Sequence, residues 1–208
     1  LFLAEGASLL MMARAAGFRP ETLVYRAGAL ETDTQKRLVH TSLEEGAEVL
    51  EVSGAVLEKL AAKDNPQTML GVFKQRWGTL PDLKTLPQKS VWLALEDIRD
   101  PGNLGTIIRT ADAVGAAGII LVGQCTDPYS REAVRATMGS IFNVPLVAVD
   151  RNTFLTWVPR WAGDTVATTL DAREDFRRAA YTSPVLLMMG SESPGLSTAM
   201  AAIATRRV

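Results

Sequence analysis

Two residue types are almost missing from this 208-residue chain, which has one cysteine, Cys125, and one histidine, His40. A single thiol excludes an intrachain disulfide and any multi-cysteine metal site, so no metal is expected, and it suits a reducing cytoplasm. The lone histidine is far in sequence from the glycine-bearing loops described below; it reads as a surface residue, and a Ser-His-Asp triad has little support. Lysine is absent after Lys89, every later basic residue being arginine. Arginine's planar fork suits phosphate, although a compositional habit of the genome produces the same bias. Neither sign of charge dominates: the net charge is −1 at pH 7. Charge alone therefore does not announce a nucleic-acid partner, while leaving room for a local basic patch. No apolar run approaches the roughly 18 residues of a membrane helix, and the first residues lack the order of a signal peptide, so no membrane partner is expected. The loops G-x-G-x-x-G and G-x-x-x-x-G-K-[ST] are both absent, which argues against a dinucleotide fold of the usual kind and against a nucleotide triphosphatase.

What remains is a globular composition, 47% hydrophobic and 22% charged, in a chain long enough for one large or two small domains. "LFLAEG" begins without Met and already reads as a strand, and "ATRRV" stops where a new strand could begin, so further residues are expected at both ends.

Apolar runs at Leu1–Ala4, Leu23–Arg26, Ala47–Val52 and Thr68–Phe73 read as strands, with helices at Ala7–Ala16, near Thr34–Thr41 and at Gly54–Ala62. "KDNPQ" (Lys63–Gln67) is the turn before the last of these strands. Such alternation describes a small α/β unit. The stretch "RWGTLPDLKTLPQKS" (Arg76–Ser90) has two prolines, a glycine and no periodicity. It reads either as a domain boundary or as a long loop within one domain, and the first reading divides the chain into residues 1–80, a linker at 81–89 and a second domain at 90–208. There, short continuous apolar runs at Val91–Leu95, Gly118–Val122, Leu146–Val149, Thr165–Thr169 and Val185–Met189 are patterned like strands buried on both faces of a mainly parallel sheet. Helices are predicted at Leu104–Ala116, Arg131–Ser140, Thr153–Trp161 and Glu174–Ala180, with a last one from Ser197.

In open parallel sheets ligands bind beyond the C-terminal strand ends, and three loops follow such ends: "EDIRDPGNLGTIIR", "LDARED" and "GSESPGLS". In the first, Pro101-Gly102 reads as a turn and Asn103 as the N-cap of a helix beginning at Leu104. Gly105 and Arg109, four residues apart, share one face of its first turns. Exposed N–H groups and Arg109 would attract an anion; a capping Asn and a solvated Arg are the plainer interpretation. In the third loop Gly190 permits close backbone approach, Glu192 places a carboxylate at the strand exit, Pro194-Gly195 turns the chain, and Ser197 caps the next helix. The same pattern also describes a simple strand–turn–helix connection.

Taken together, these residues resemble the SpoU/TrmH family of RNA ribose 2′-O-methyltransferases, within the SPOUT superfamily. Asn103, Gly105 and Arg109, followed by Ala111 and Gly115, match its first motif; Gly190, Glu192, Gly195 and Leu196 match its G-x-E-x-x-G-L. Between them, "VRATMGSIFNVPL" supplies Arg135, Ala136, Thr137, Gly139 and Pro145. The match in order and spacing covers roughly residues 90–208. The first domain resembles the family's substrate-binding domain, with "LFLAEG" and "NPQTMLGVF" as landmarks.

The resemblance implies an α/β fold in which a small N-terminal substrate-binding domain precedes a SPOUT-type domain whose C-terminal segment threads a trefoil knot. It implies S-adenosyl-L-methionine as cofactor, held by the Thr168, Thr169 and Leu170 loop and by Met189, Gly190, Gly195 and Leu196. It implies methyl transfer to a ribose hydroxyl of structured ribosomal or transfer RNA, with Asn103, Arg109 and Glu192 as the catalytic set. Arginine is normally always protonated, so Arg109 is assigned positioning of phosphate and hydroxyl ahead of a role as base. Arg135 is a candidate for RNA contact, for contact with a partner subunit or for an interface salt bridge, since the family works as a homodimer through this domain. Two departures stand out: Ser193 occupies a position that is Gly in many relatives, and the family's third motif falls just after Val208, outside the residues in hand. The competing expectation is a non-catalytic RNA-binding protein that retains the methyltransferase fold.

Overall fold

Strands and helices alternate along the computed structural model, which describes residues 1–62, 66–172 and 174–208. The first elements are β1 (Phe2–Glu5), α1 (Ala7–Ala15), β2 (Pro20–Arg26), α2 (Asp33–Glu44), β3 (Glu48–Val52), α3 (Gly54–Ala61) and β4 (Met69–Phe73). They are followed by β5 (Val91–Glu96), α4 (Pro101–Ala113), β6 (Gly118–Val122), α5 (Arg131–Thr137), β7 (Leu146–Val149), α6 (Arg151–Trp157), β8 (Thr165–Ala167), β9 (Val185–Met189), α7 (Thr198–Ala202) and β10 (Arg206–Arg207). Most of the turn expected at Lys63–Gln67 lies outside the described residues.

The first unit comprises Leu1–Gln75 and Pro128–Asn143. Its sheet has the order β1-β4-β2-β3, with β4 antiparallel to both neighbours and β2 parallel to β3. Gly71 sits mid-strand in β4 because a Cβ there would lie 2.5 Å from Leu10 Cδ2 and 2.7 Å from the Phe73 ring. Helix α2 opens with a reciprocal capping box between Thr32 and Gln35, which satisfies two otherwise orphaned donors. Residues 128–143, which the sequence reading assigns to the second domain, cluster with the first unit because their aromatic rings complete its core. Phe2 lies 4.8 Å from the Tyr129 ring and 5.8 Å from that of Phe142, and Phe18 lies 5.1 Å from Phe142. Each such ring removes roughly 150–250 Å² from water, enough to determine where the segment packs.

The second unit, Arg76–Asp127 with Val144–Val208, carries a six-stranded sheet in the order β10-β8-β9-β5-β6-β7, parallel throughout. Leu93 and Leu95 alternate with Trp92 and Ala94, and all four are buried, as expected for strands covered on both faces. Trp92, Ala94, Ile120 and Val122 share one core with Phe154, Trp157 and Trp161. Leu80, Leu83 and Leu86 pack against that core, so the apolar residues of the Arg76–Ser90 stretch cover the second unit. The chain enters at the centre with β5 and runs outward through β6 to β7. It then crosses back, and β9 enters between β8 and β5. Strand order thus reverses beside β5, and the carboxyl ends of β5 and β9 flank the crevice that such a reversal opens.

Two helix expectations need correction. Helix α4 begins at Pro101, with Asp100 as its N-cap accepting from Asn103 N–H at 2.6 Å. Pro101-Gly102 is therefore the first helical turn, which the fixed proline φ favours, and Asn103 is not the cap. Residues 174–180 form turns, not a helix: "EDFRRAA" has Phe176 as its one large apolar residue, 62% exposed, so there is no apolar stripe whose burial would support a helix.

Candidate active site

Shifting the cap to Asp100 frees the Asn103 side chain, and the freed amide joins the two glycine-bearing loops. Asn103 Nδ2 donates to Glu192 Oε1 at 2.7 Å, linking residues 89 apart in sequence. A cleft of about 530 Å³ opens there, lined among others by Arg99, Asn103, Thr106, Ile107, Met189 and Glu192. Arg109 is not in its lining. It lies on the exposed flank of α4 and has no hydrogen-bond or ion-pair partner among the described residues.

Across the Gly190–Glu192 segment lies a second cavity of about 620 Å³, a volume typical of small-molecule and cofactor sites. Its wall includes Thr168, Thr169, Leu170, Gly190, Gly195 and Leu196, six of the seven residues expected to hold a cofactor. The seventh, Met189, faces the neighbouring cleft. Thr169 Oγ1 is buried and has no hydrogen-bond partner among the described residues. A buried hydroxyl left unmatched is costly, so this wall is chemically suited to a ligand that brings a polar group.

Gly190 lines both cavities, and its missing side chain also shapes the loop. A Cβ on it would lie 2.0 Å from the Gly195 carbonyl carbon and 2.2 Å from Leu196 N. The absent side chain admits the chain's own backbone. Gly195 has φ +85 and open space around a would-be Cβ, so its requirement is conformational.

Sequence reasoning missed the network behind this loop. Glu96, at the end of β5, is buried. Its Oε2 accepts from Ser197 N at 2.7 Å, and its Oε1 accepts from Ser197 Oγ at 2.8 Å and from Arg151 Nε at 2.7 Å. Arg151 Nη2 also donates to Asp97 Oδ2 at 2.7 Å, and Asp97 Oδ1 accepts from Gln124 N at 2.7 Å. The hydrogen bond to Glu96 and that carboxylate's charge hold the Arg151 guanidinium above its ordinary pKa, with Asp97 adding to the effect. Glu96 and Arg151 stand 55 positions apart in ordinary strand-end and helix-start contexts, which offer no spacing signal.

A further carboxylate, Asp164, binds the edge strand. It accepts from Thr182 N at 2.7 Å, Thr205 Oγ1 at 2.9 Å and Arg206 Nε at 2.9 Å. Burial opposes its ionisation, but these bonds and the Arg206 charge outweigh burial and set its pKa below the usual aspartate value. Arg135, in the first unit, donates to Glu5 Oε2 at 3.0 Å and to the Ala61 carbonyl at 2.9 Å, so its partners lie within its own chain. His40 is exposed beside Glu44. Among the described residues no cluster of three or more His, Cys, Asp or Glu is placed to hold a metal ion, and no helix is long and apolar enough to cross a membrane.

Comparison with known proteins gives this geometry a lineage. The crystal structure of an AdoMet-bound rRNA methyltransferase from Sinorhizobium meliloti superposes with a TM-score of 0.88 at 42% identity, covering 99% of this chain and 76% of that one. The 23S rRNA (uridine(2479)-2′-O)-methyltransferase of Streptomyces viridochromogenes is 30% identical over 207 residues, 95% of this chain and 70% of its own length. An uncharacterised tRNA/rRNA methyltransferase of Synechocystis is 34% identical over 160 residues, 76% of this chain, and the match spans 57% of the relative's length. Residues 1–71 match an MRM3-like substrate binding domain. Residues 90–208, with both glycine-bearing loops, match the SpoU rRNA Methylase family, and the chain belongs to that family.

Proposed function

We propose that the protein transfers a methyl group from S-adenosyl-L-methionine to a ribose 2′-hydroxyl of structured RNA, with ribosomal RNA the preferred substrate and transfer RNA the alternative. The contact between Asn103 and Glu192 carries this reading, because it places the two family motifs on either side of one cleft next to a cofactor-sized cavity. Thr168, Thr169, Leu170, Gly190, Gly195 and Leu196 would hold the cofactor, and the unmatched Thr169 hydroxyl supports that assignment. The cofactor supplies an electrophilic sulfonium methyl. The chain's own contribution is to orient the hydroxyl in line with that methyl and to fix the neighbouring phosphate. Arg109 takes this task, with its fork directed at phosphate and hydroxyl oxygens, while Asn103 and Glu192 hold the two loops in register. We place a second subunit against the alanine-bearing part of α4, giving a homodimer that leaves Arg109 open to RNA. We assign the unit the trefoil knot of its superfamily and the protein a place in the cytoplasm.

The test is transfer of labelled methyl to ribosomal and transfer RNA, with the product mapped by the resistance of 2′-O-methylated linkages to alkali. Arg109→Ala should abolish transfer and leave cofactor affinity largely intact. Equal loss of both would refute its role, and base methylation instead of ribose methylation would refute the reaction.

A further inference from the structure

Glu96 is unusual for what it holds. It is the last residue of β5, one position beyond the Leu95–Met189 pair that joins β5 to β9. The chain leaves β9 at Gly190, forms one wall of the cofactor-sized cavity and re-enters regular structure at Ser197, the N-cap of α7. One end of this wall is fixed by strand pairing and by the close packing of Gly190 on the backbone of Gly195 and Leu196. The other end is fixed by Glu96. Both of its oxygens are committed to Ser197, at 2.7 Å to the N–H and 2.8 Å to the hydroxyl. The hydroxyl still accepts from Met200 N at 3.3 Å, so one serine serves the helix cap and the tie to β5 together.

A buried carboxylate is a poor way to gain stability, since desolvation offsets most of its attraction and an apolar side chain of similar size packs as well. An apolar residue could not, however, accept two bonds from Ser197. Arg151 prevents the carboxylate from turning away, because its Nε holds Glu96 while its Nη2 is held by Asp97. The whole device lies outside the cavity lining. It acts on the cavity through the loop, which also presents Glu192 to Asn103.

We infer that Glu96 is a positioning residue for the proposed methyl transfer, holding the Gly190–Leu196 wall of the cofactor cavity in place through Ser197. The inference rests on the proposed function for the identity of the ligand, but not for the tether itself. Glu96→Gln keeps the shape and turns one acceptor oxygen into a donor facing Ser197 or Arg151. Ser197→Ala removes both hydroxyl bonds, the one donated to Glu96 and the long cap bond from Met200 N, and leaves the N–H bond to Glu96, the milder lesion of the two at the tether.

Two measurements on the full-length protein test it. The first is amide hydrogen exchange without cofactor. Exchange at Gly195–Ser197 should accelerate at least about tenfold in Glu96→Gln, and less in Ser197→Ala, with the amides of β5 and β6 unchanged. The second is calorimetric titration with S-adenosyl-L-methionine and, separately, with ribosomal RNA. Cofactor affinity should fall about tenfold or more in Glu96→Gln while RNA affinity holds. Unchanged exchange in the loop, or equal loss of cofactor and RNA binding, overturns the inference. Failure of the wild-type protein to bind S-adenosyl-L-methionine overturns the proposed function as well, whereas wild-type binding matched by Glu96→Gln overturns the tether alone.

Discussion

Replacing Gly190 by alanine is the sharpest perturbation that the structure offers. The added Cβ would lie 2.0 Å from the Gly195 carbonyl carbon, 2.2 Å from its oxygen and 2.2 Å from Leu196 N. Carbon atoms settle at about 3.5–4.0 Å, so the two backbone segments must part by roughly 1.5 Å. No flexible side chain is among those three atoms to absorb the strain, and both segments line the cavity assigned to the cofactor. Overpacking of this kind costs about 1–3 kcal/mol of stability. If that strain must be met again when the cofactor refits the wall, cofactor affinity should drop by roughly ten- to a hundredfold. Gly195→Ala is the internal control. Its φ of +85 strains any side chain, but nothing lies within 4 Å of the new Cβ. It should cost about 1–2 kcal/mol of stability and less than about tenfold in affinity. Calorimetric titration with S-adenosyl-L-methionine, paired with thermal melts, separates the two effects. Wild-type affinity in Gly190→Ala, or greater loss of affinity in Gly195→Ala, would refute the reasoning.

Arg135→Ala should behave as a stability variant of the first unit. It leaves Glu5, whose side chain is 6% exposed, without its 3.0 Å partner, and should lower the melting temperature while RNA affinity at fixed salt stays near wild type; a selective loss of RNA binding would return Arg135 to the RNA surface. Asp164 should make stability pH-dependent on the acid side. Its folded pKa lies below the unfolded value, so its contribution is complete above the unfolded pKa of about 3.9 and is lost as pH falls through the folded value. Asp164→Asn should therefore be less stable than wild type at pH 7 in denaturant titrations, with the gap closing on acidification below about pH 4; a gap that widens instead would contradict the sign.

The strands of the second unit were legible because a parallel sheet buried on both faces writes itself as short apolar runs. Three of its strands, Gly118–Val122, Leu146–Val149 and Val185–Met189, have the bounds that the pattern predicts. Helix boundaries were read less well, and each error has a local cause. At α4 both Asp100 and Asn103 are good caps on intrinsic grounds. Proline decides between them, since Pro101 with a fixed φ and no N–H suits the first helical position behind an Asp100 cap. The affiliation of residues 128–143 was invisible for a different reason. Nothing local says that the rings of Tyr129 and Phe142 will pack on Phe2, more than 120 positions earlier.

The same distinction separates the legible half of the site from the hidden half. Glu192, Gly190 and Gly195 could be found because they stand in a turn-rich loop at a strand end, and Asn103 because it stands in the first turn of the helix that follows another. Glu96 and Arg151 could not, because a carboxylate ending a strand and an arginine opening a helix are the commonest of solvated residues. Only burial makes them informative. Gly190 was legible as a point of close backbone approach, but the self-packing was not: the space of its missing side chain is taken by the backbone of Gly195 and Leu196, while its own backbone still lines the cavity. A motif glycine therefore marks close approach without naming what approaches. In this protein the approaching group is the next turn of the same loop, so shaping of the cofactor cavity begins with how the loop packs on itself and is completed by the carboxylate that anchors its far end.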